Sequence, residues 1–404
     1  MDCCRFVELI NDLNCKVAIF GAGDYGTTWC YALLVDAGFD IDCYIDNYKV
    51  GSKCNGLHVY GIEYLRLHPE IFVFVSTRGD AGREIVSQLN ELDIAGYYYF
   101  DSDYAPAEFA EYLDERGDEK LISRFPSVMD DERYLEILFR YRCGYDPVIS
   151  NPQTFNEKIQ YLKLHDRNPL YTKLADKSLV KDYVSCKIGA THVIPTIFTC
   201  NNANEIDFDK LPRQFVLKCT HDGGVIICKD KYEFDYYSSV RRLNERLKVN
   251  YYWLGREWCY RDIVPKIICE PYLTDESGVE LKDYKVFCFW GKPELIQVDY
   301  DRFGNHRRNL YTIGWEYVDG RIEYPTDKSY VIKKPNVLEE LLEYASILSA
   351  DIPHVRTDFY ICDSNIYLGE MTFYHGNGCE RFYPESLGKF LGDKIDLEKV
   401  WDKR

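Results

Sequence analysis

The chain has 404 residues, 46% hydrophobic, 28% charged and 15% aromatic, with no low-complexity tract, which fits roughly two to three globular domains and excludes a fibrous or disordered chain. Its 49 basic and 66 acidic residues leave a net charge of −17, which argues against a nucleic-acid groove as the main working surface. No apolar run reaches the roughly 18 to 20 residues of a membrane-crossing helix, and the opening Met1-Asp-Cys-Cys-Arg5 lacks the cationic and apolar regions of an export signal. The expectation is a cytoplasmic protein without integral membrane association.

The 16 cysteines are scattered, mostly in apolar runs such as Ile267-Ile-Cys269 and Val286-Phe-Cys288, where a free thiol behaves as a small hydrophobe. Neither a CxxC pair nor a Cys/His zinc spacing occurs, so neither a disulfide framework nor a structural zinc is expected.

Val17-Ala-Ile-Phe20 reads as a strand and runs directly into Gly21-Ala-Gly23-Asp-Tyr-Gly26. A helical segment through Leu34 follows, then a strand Asp42–Ile45 ending at Asp46, about twenty residues past Gly26. Such glycines allow a tight turn and close approach of backbone to a pyrophosphate, while the acidic residue suits ribose hydroxyls. Strands Phe72–Thr77 and Tyr97–Phe100 complete a small parallel sheet. The segment resembles the Rossmann-like domains of enzymes that process nucleotide-activated sugars. The resemblance implies a sugar nucleotide at Gly21, Gly23, Gly26 and Asp46 at least as readily as NAD, since no Tyr-x-x-x-Lys pair accompanies them here. The plain alternative is that the glycines only build the turn. An acidic, turn-rich stretch from Asp101 marks a boundary, giving domains at 1–101, a helical connector at 102–150 and a second domain at 151–404.

The second domain presents a series of blocks. Asn151-Pro-Gln-Thr-Phe155-Asn-Glu-Lys158 opens a helix, and Leu174-Ala-Asp-Lys177 precedes another. Phe215-Val-Leu-Lys218 is a strand, followed by the turn His221-Asp-Gly-Gly224 and the strand Val225–Cys228. Further on stand Glu270-Pro-Tyr272-Leu273, Asp283-Tyr-Lys285, Arg356-Thr-Asp358, Leu368-Gly-Glu370-Met-Thr372 and His375-Gly-Asn-Gly378.

Asp358 and Glu370 carry the strongest local argument. Their strands flank the turn residues Asp363-Ser-Asn365, and a three-residue loop would pair Cys362 with Ile366, Tyr360 with Leu368, Asp358 with Glu370 and Arg356 with Thr372 on one face. Two facing carboxylates destabilise a sheet, and a bridging divalent cation with hard oxygen ligands relieves the conflict. An exposed acidic hairpin is the plain alternative.

In order and wording these blocks resemble a TupA-like ATP-grasp domain over about residues 150–390. The resemblance implies carboxylate–amine ligation through an acyl-phosphate, with ATP and Mg²⁺, in making cell-surface polymers. It implies phosphate binding by Lys177, Lys218 and Lys285, and a backbone lid at His221, Gly223 and Gly224, although His221-Asp222 departs from the usual Ser/Gly wording. Glu270, Tyr272 and Leu273 would contact adenine, and Asp283 would contact ribose or order Lys285. Asp358, Glu370 and, in place of the usual Asn, Thr372 would hold Mg²⁺. Arg356 would serve acyl-phosphate oxygens, Arg307 in the basic island Asn305–Asn309 a carboxylate or phosphate, and His375–Gly378 the reacting carbonyl.

The expected fold class is thus α/β and α+β: a Rossmann-like parallel sheet followed by an ATP-grasp fold. The expected reaction joins an amine or amino acid to a uronic-acid-type sugar or sugar nucleotide in capsule or exopolysaccharide synthesis. Alternatives are an ATP-grasp kinase acting on a sugar hydroxyl, an NAD-dependent sugar-nucleotide oxidoreductase and a non-catalytic nucleotide sensor.

Overall fold

Val17–Phe20 (β1) is buried along its whole length, as an unbroken apolar strand must be when both faces of its sheet are covered. The computed structural model describes residues 16–23, 25–36, 39–77, 79–94, 96–99, 130–247, 249–275, 278, 281–301 and 306–401. It divides into two units, Met1–Ile137 and Leu138–Arg404. Much of the expected connector, residues 102–129, lies outside the described residues, as do Asp24, Phe100 and Asn305; Asp131–Cys143 is helical.

In the first unit β1 is flanked by parallel neighbours Ile41–Ile45 (β2) and Phe72–Val75 (β5), and β5 pairs in parallel with Tyr97–Tyr99 (β6). The four expected strands are therefore present and parallel. The sheet is nonetheless mixed. Lys53–Cys54 (β3) and Leu57–Tyr60 (β4) form an antiparallel hairpin, and the full order is β3-β4-β2-β1-β5-β6. Its turn is Asn55-Gly56, with φ of 50° and 80°, the left-handed pair that two-residue hairpins favour. That dipeptide was the signal for the two strands missing from the parallel-sheet reading.

The second unit holds two antiparallel sheets. One contains Phe198–Cys200 (β7), Phe215–Cys219 (β8), Val225–Cys228 (β9) and Ile267–Pro271 (β10) in the order β7-β10-β8-β9. The larger one contains Asp283–Phe289 (β11), Lys292–Tyr300 (β12), Arg307–Tyr311 (β13), Tyr317–Val318 (β14), Val355–Cys362 (β16) and Asn365–Thr372 (β17), ordered β14-β13-β12-β11-β16-β17. Arg321–Ile322 (β15) pairs separately with Phe382–Tyr383 (β18). Leu338, Leu341, Ala345 and Leu348 form the buried stripe of helix Leu338–Leu348, which packs with the large sheet in one core.

Helix Phe155–His165 shows how local sequence positions core and site together. Thr154 caps it and Glu157 completes a capping box, also accepting the N–H groups of Gln153 and Val148. Such a cap contributes about 1 kcal/mol. Phe155 is then buried against Phe287, Phe289 and Phe382, where truncation to alanine costs about 3–5 kcal/mol. The next turn presents Gln160 and Lys163 to the carbonyls of residues 377–378.

Candidate active site

The period-two alternation of β8 and β10 divides their side chains between two tasks. Phe215, Leu217, Cys219, Ile267 and Cys269 enter one hydrophobic core, while Val216, Lys218 and Glu270 line a cleft on the other face. The register sets Glu270 opposite Val216 and Ile268 opposite Lys218, so Lys218 and Glu270 are diagonal neighbours. Their Nζ and Oε2 atoms lie 2.7 Å apart, and Lys181 Nζ takes the other oxygen at 2.5 Å. Burial opposes ionisation of Glu270, but Lys218 and Lys181 outweigh it and hold the carboxyl below its usual range.

The opposite wall is the β16–β17 hairpin with β11. Asp358 pairs with Glu370 and Arg356 with Thr372. The connecting loop is not three residues but two, Asp363-Ser364, with φ of 49° and 63°. Cys362 therefore faces Asn365 and Tyr360 faces Tyr367, one residue out of the expected register. An irregularity between Asp358 and Phe359 skips Gly369 and restores the pairing of the two carboxylates. Gly369 is required there, because a Cβ would stand 2.7 Å from Tyr360 Cε2.

Facing carboxylates do not in themselves demand a metal here. Lys285, paired with Asp358 across β11 and β16, sets its Nζ 2.6 Å from Asp358 Oδ2 and 3.3 Å from Asp283 Oδ2. Arg356 chelates both oxygens of Asp358 at 2.7 Å and reaches Thr372 Oγ1 at 3.2 Å. Lys177 Nζ stands 3.3 Å from Glu370 Oε2. Burial works against the Glu370 anion, but Lys177, Lys285 and Arg356 keep its carboxyl well below the usual range. Among the described residues no group of three or more His, Cys, Asp or Glu could hold a metal. The side chain of Glu370 is 34% exposed and that of Asp358 only 2%, so Glu370 is the accessible oxygen donor.

The turn Thr220–Gly224 is a closed structure. Asp222 accepts the Gly224 N–H at 2.9 Å and Arg246 Nε at 2.5 Å, and its carbonyl takes Lys177 Nζ at 2.6 Å. A side chain at Gly224 would collide with the Arg246 guanidinium. Lys177 thus links the turn to the hairpin. Asp176 fixes that lysine's backbone by accepting the N–H groups of Ser178 and Leu179.

One cleft gathers Lys177, Lys218, Gly223, Gly224, Glu270, Tyr272, Leu273, Asp283, Lys285, Asp358 and Glu370. His221 is not on its wall: it is buried, with Nε2 directed at the carbonyls of Arg246 and Val249 at 3.2 and 3.1 Å. Arg307 faces a separate recess with Asp301 and Asp327. Its neighbour Arg308 is buried between Asp299 and Glu380, so the basic island is largely structural in the part described. Arg356 and Thr372 stand behind the carboxylates. Lys181, Lys229, Arg246 and Tyr360 were not singled out from sequence. Nothing marks Lys181 and Arg246 in a linear reading, because the carboxylates they bind, Glu270 and Asp222, lie 89 and 24 residues away.

In the first unit, Gly21 has φ +114°, and a Cβ at Gly26 would come 1.8 Å from the Gly21 carbonyl, so both serve close packing. Gly23 has open space. Asp46 is committed to the backbone, accepting the N–H groups of Ala22 (2.8 Å), Tyr48 (2.8 Å) and Lys49 (3.0 Å).

A family model described as TupA-like ATPgrasp matches residues 157–396. No curated protein matches the sequence. Among solved structures the chain is similar to the D-alanine–D-alanine ligase from Bacillus anthracis, with TM-score 0.37 and 12% identity over 96% of this chain and 98% of that one. It is also similar to the Helicobacter pylori D-alanine–D-alanine ligase (TM-score 0.32, 16% identity, 57% and 59% covered). A third likeness is to the ATP-grasp ligase PsnB complexed with minimal precursor, Mg and ADP (TM-score 0.30, 10% identity, 94% and 97% covered).

Proposed function

The chain belongs to the TupA-like ATP-grasp family, and from that premise we propose that it is an ATP-dependent carboxylate–amine ligase working through an acyl-phosphate. The observation that carries this reading is the convergence of Lys177, Lys218, Lys285 and the Asp358–Glu370 pair on one cleft between two sheets.

A carboxylate is a poor acyl donor. Moving the γ-phosphoryl group of ATP onto it creates an anhydride, which an amine opens with release of phosphate. Lys218 and Lys285 already have carboxylate partners, so their charges are aimed before phosphates arrive and little reorganisation is needed. The turn at Gly223 and Gly224 supplies backbone close to the phosphates, and Arg246 holds it in place. Val216, Ile227, Tyr272 and Leu273 give the cleft an apolar end suited to adenine, with Asp283 toward ribose. Two protein carboxylates plus nucleotide phosphates are a donor set that fits Mg²⁺, with Glu370 as direct ligand and Asp358 and Thr372 beside it. Bound there, the ion would neutralise the phosphoryl oxygens in transfer. Arg356, behind Asp358, would orient that carboxylate.

The finer reading assigns a uronic-acid-type sugar as the carboxylate and an amine or amino acid as the acceptor, in cytoplasmic steps of capsule or exopolysaccharide synthesis. It rests on the family resemblance. The same holds for a Rossmann-like first domain, residues 1–101, that holds a sugar nucleotide. Its support is the open loop at Gly23 beside a mainly parallel sheet.

The test is trapping. With ATP, Mg²⁺, hydroxylamine and a panel of uronic acids and nucleotide-linked uronic acids, one carboxylate should give a hydroxamate with ADP and free phosphate, and Lys218→Ala should lose it. A product keeping the γ-phosphate on a sugar hydroxyl overturns the ligase in favour of a kinase.

A further inference from the structure

A second cavity opens on the loop that follows the hairpin; Tyr251, Glu257, Gly376, Asn377, Arg142 and Arg381 stand on its wall. Three carboxylates reach it, and two are committed. Glu380 lies 2.8 Å from His375 Nε2 and 2.7 Å from Arg308 NH1, and Glu323 accepts the Arg381 N–H at 3.1 Å. Glu257, just before the turn Trp258–Tyr260, is different: its carboxylate has no hydrogen bond or ion pair among the described residues. The positive charge that acts on it is Lys163, which directs its donors to Gln160 Oε1 (2.9 Å) and to Asn377 O (2.9 Å) and its side-chain oxygen.

Burial pushes the Glu257 carboxyl up to about 7, against the pull of Lys163, and burial lowers Lys163 to about 8. Cys259, Tyr260 and Tyr374 are the other titratable groups that sense the Glu257 charge. An unpaired carboxylate on a cavity wall is an expensive arrangement unless a cation arrives from outside.

Side-chain contacts link the cavity wall to the cleft: Glu380 meets His375 Nε2 at 2.8 Å, and His375 Nδ1 lies 2.5 Å from Arg356 NH1, whose guanidinium chelates Asp358. Tyr251, on the cavity wall, donates its hydroxyl to Asp222 Oδ2 of the glycine turn at 3.3 Å.

Resting on the ligase reading, we propose that this cavity is the acceptor subsite: an amino acid binds with its ammonium on Glu257 and its carboxylate toward the exposed Arg142 and Arg381 at the rim. Glu257 takes one ammonium proton. The freed nitrogen lone pair forms the bond to the acyl carbon, the carbon–oxygen bond to phosphate breaks, and phosphate leaves with its electron pair. The second nitrogen proton goes to the departing phosphate, and the first passes from Glu257 to solvent.

The test uses the full chain with Mg²⁺ and a non-hydrolysable ATP analogue, titrated calorimetrically with the twenty standard amino acids, D-alanine and D-glutamate, and then with the N-acetyl forms of any that bind. At least one amino acid should bind and its N-acetyl form should not. Glu257→Gln should weaken binding about tenfold or more, the effect of losing a charged partner, with nucleotide affinity unchanged. In the native protein amino-acid affinity should fall between about pH 8 and pH 6, as Glu257 protonates, and in Glu257→Gln it should be flat. If Glu257→Gln does not fold, Glu257→Asp, which keeps the charge, and the native pH profile decide. Nucleotide binding with no amino acid bound at about 10 mM overturns the subsite alone. So does binding indifferent to N-acetylation or to Glu257→Gln. Failure to bind the nucleotide analogue defeats the ligase reading beneath it.

Discussion

Lys218 and Glu270, one pleat apart on neighbouring strands, meet at 2.7 Å, and Lys181 closes on the same carboxylate from its other side. One buried anion therefore restrains two cations, of which Lys218 is exposed to the cleft. Phosphate oxygens entering the cleft would compete with Glu270 for a lysine already in position.

Removing Glu270 should cost far more than an exposed pair would. Glu270→Ala leaves two nearly buried ammonium groups without a counter-charge, and about 3–5 kcal/mol of stability should be lost. The native carboxyl is held below the ordinary glutamate value of about 4.5, so its contribution is full above about pH 4.5 and fades as pH falls from there toward the folded value. Urea denaturation of native protein and variant at pH 7 and near pH 3.5 checks both claims: the gap should be wide at the first and smaller, by about 1 kcal/mol or less, at the second. Equal stability at pH 7 would refute the assignment.

Glu370→Gln should lower ADP release by about 100-fold or more, roughly 3 kcal/mol of transition-state stabilisation, while the chain still melts cooperatively. Metal chelation should likewise stop turnover but leave the melting temperature of the nucleotide-free protein unchanged, because Lys177, Lys285 and Arg356 already balance the two carboxylates. A chelator-induced drop in melting temperature would show that the hairpin needs the ion for folding.

The glycines of the first unit should separate into two kinds. Gly26→Ala puts a methyl group against the Gly21 carbonyl and should destabilise the unit, visible as faster amide exchange along Val17–Phe20. Gly23→Ala meets nothing within 4 Å and should leave exchange unaltered. Any loss of sugar-nucleotide binding in Gly23→Ala is then a contact effect. Equal exchange in both variants would count against this division.

The strands were legible because alternation and turn residues are local signals, whereas the Asp358–Glu370 pairing was inferred through a three-residue loop and holds instead through a two-residue loop and the skipped Gly369. The family wording supplied Lys177, Lys218 and Lys285. What could not be read was who neutralises whom. The pairing of Lys285 with Asp358 spans 73 residues, that of Lys181 with Glu270 spans 89, and neither leaves a periodic trace. Side-chain direction was equally hidden. The His221 ring is directed at the carbonyls of Arg246 and Val249, and Arg307 lines a recess apart from the cleft, because neither a turn nor a basic run says which face each side chain takes.

The reach of Glu370 depends on Gly369 staying outside the ladder. Were Gly369 paired instead of skipped, Asp358 would meet it and Glu370 would fall opposite Thr357, on the face that builds the core with Phe359 and Val355. Closing the bulge in that way would trade a reactive carboxylate for a buried, uncompensated charge, losing chemistry and folding together. Deleting Gly369 outright closes it the other way and leaves Glu370 opposite Asp358. Lengthening at the tip, beyond Cys362 and Asn365, leaves every pair below it unmoved. The hairpin therefore tolerates a change of length at either place, and what it does not tolerate is a change in the parity of one strand.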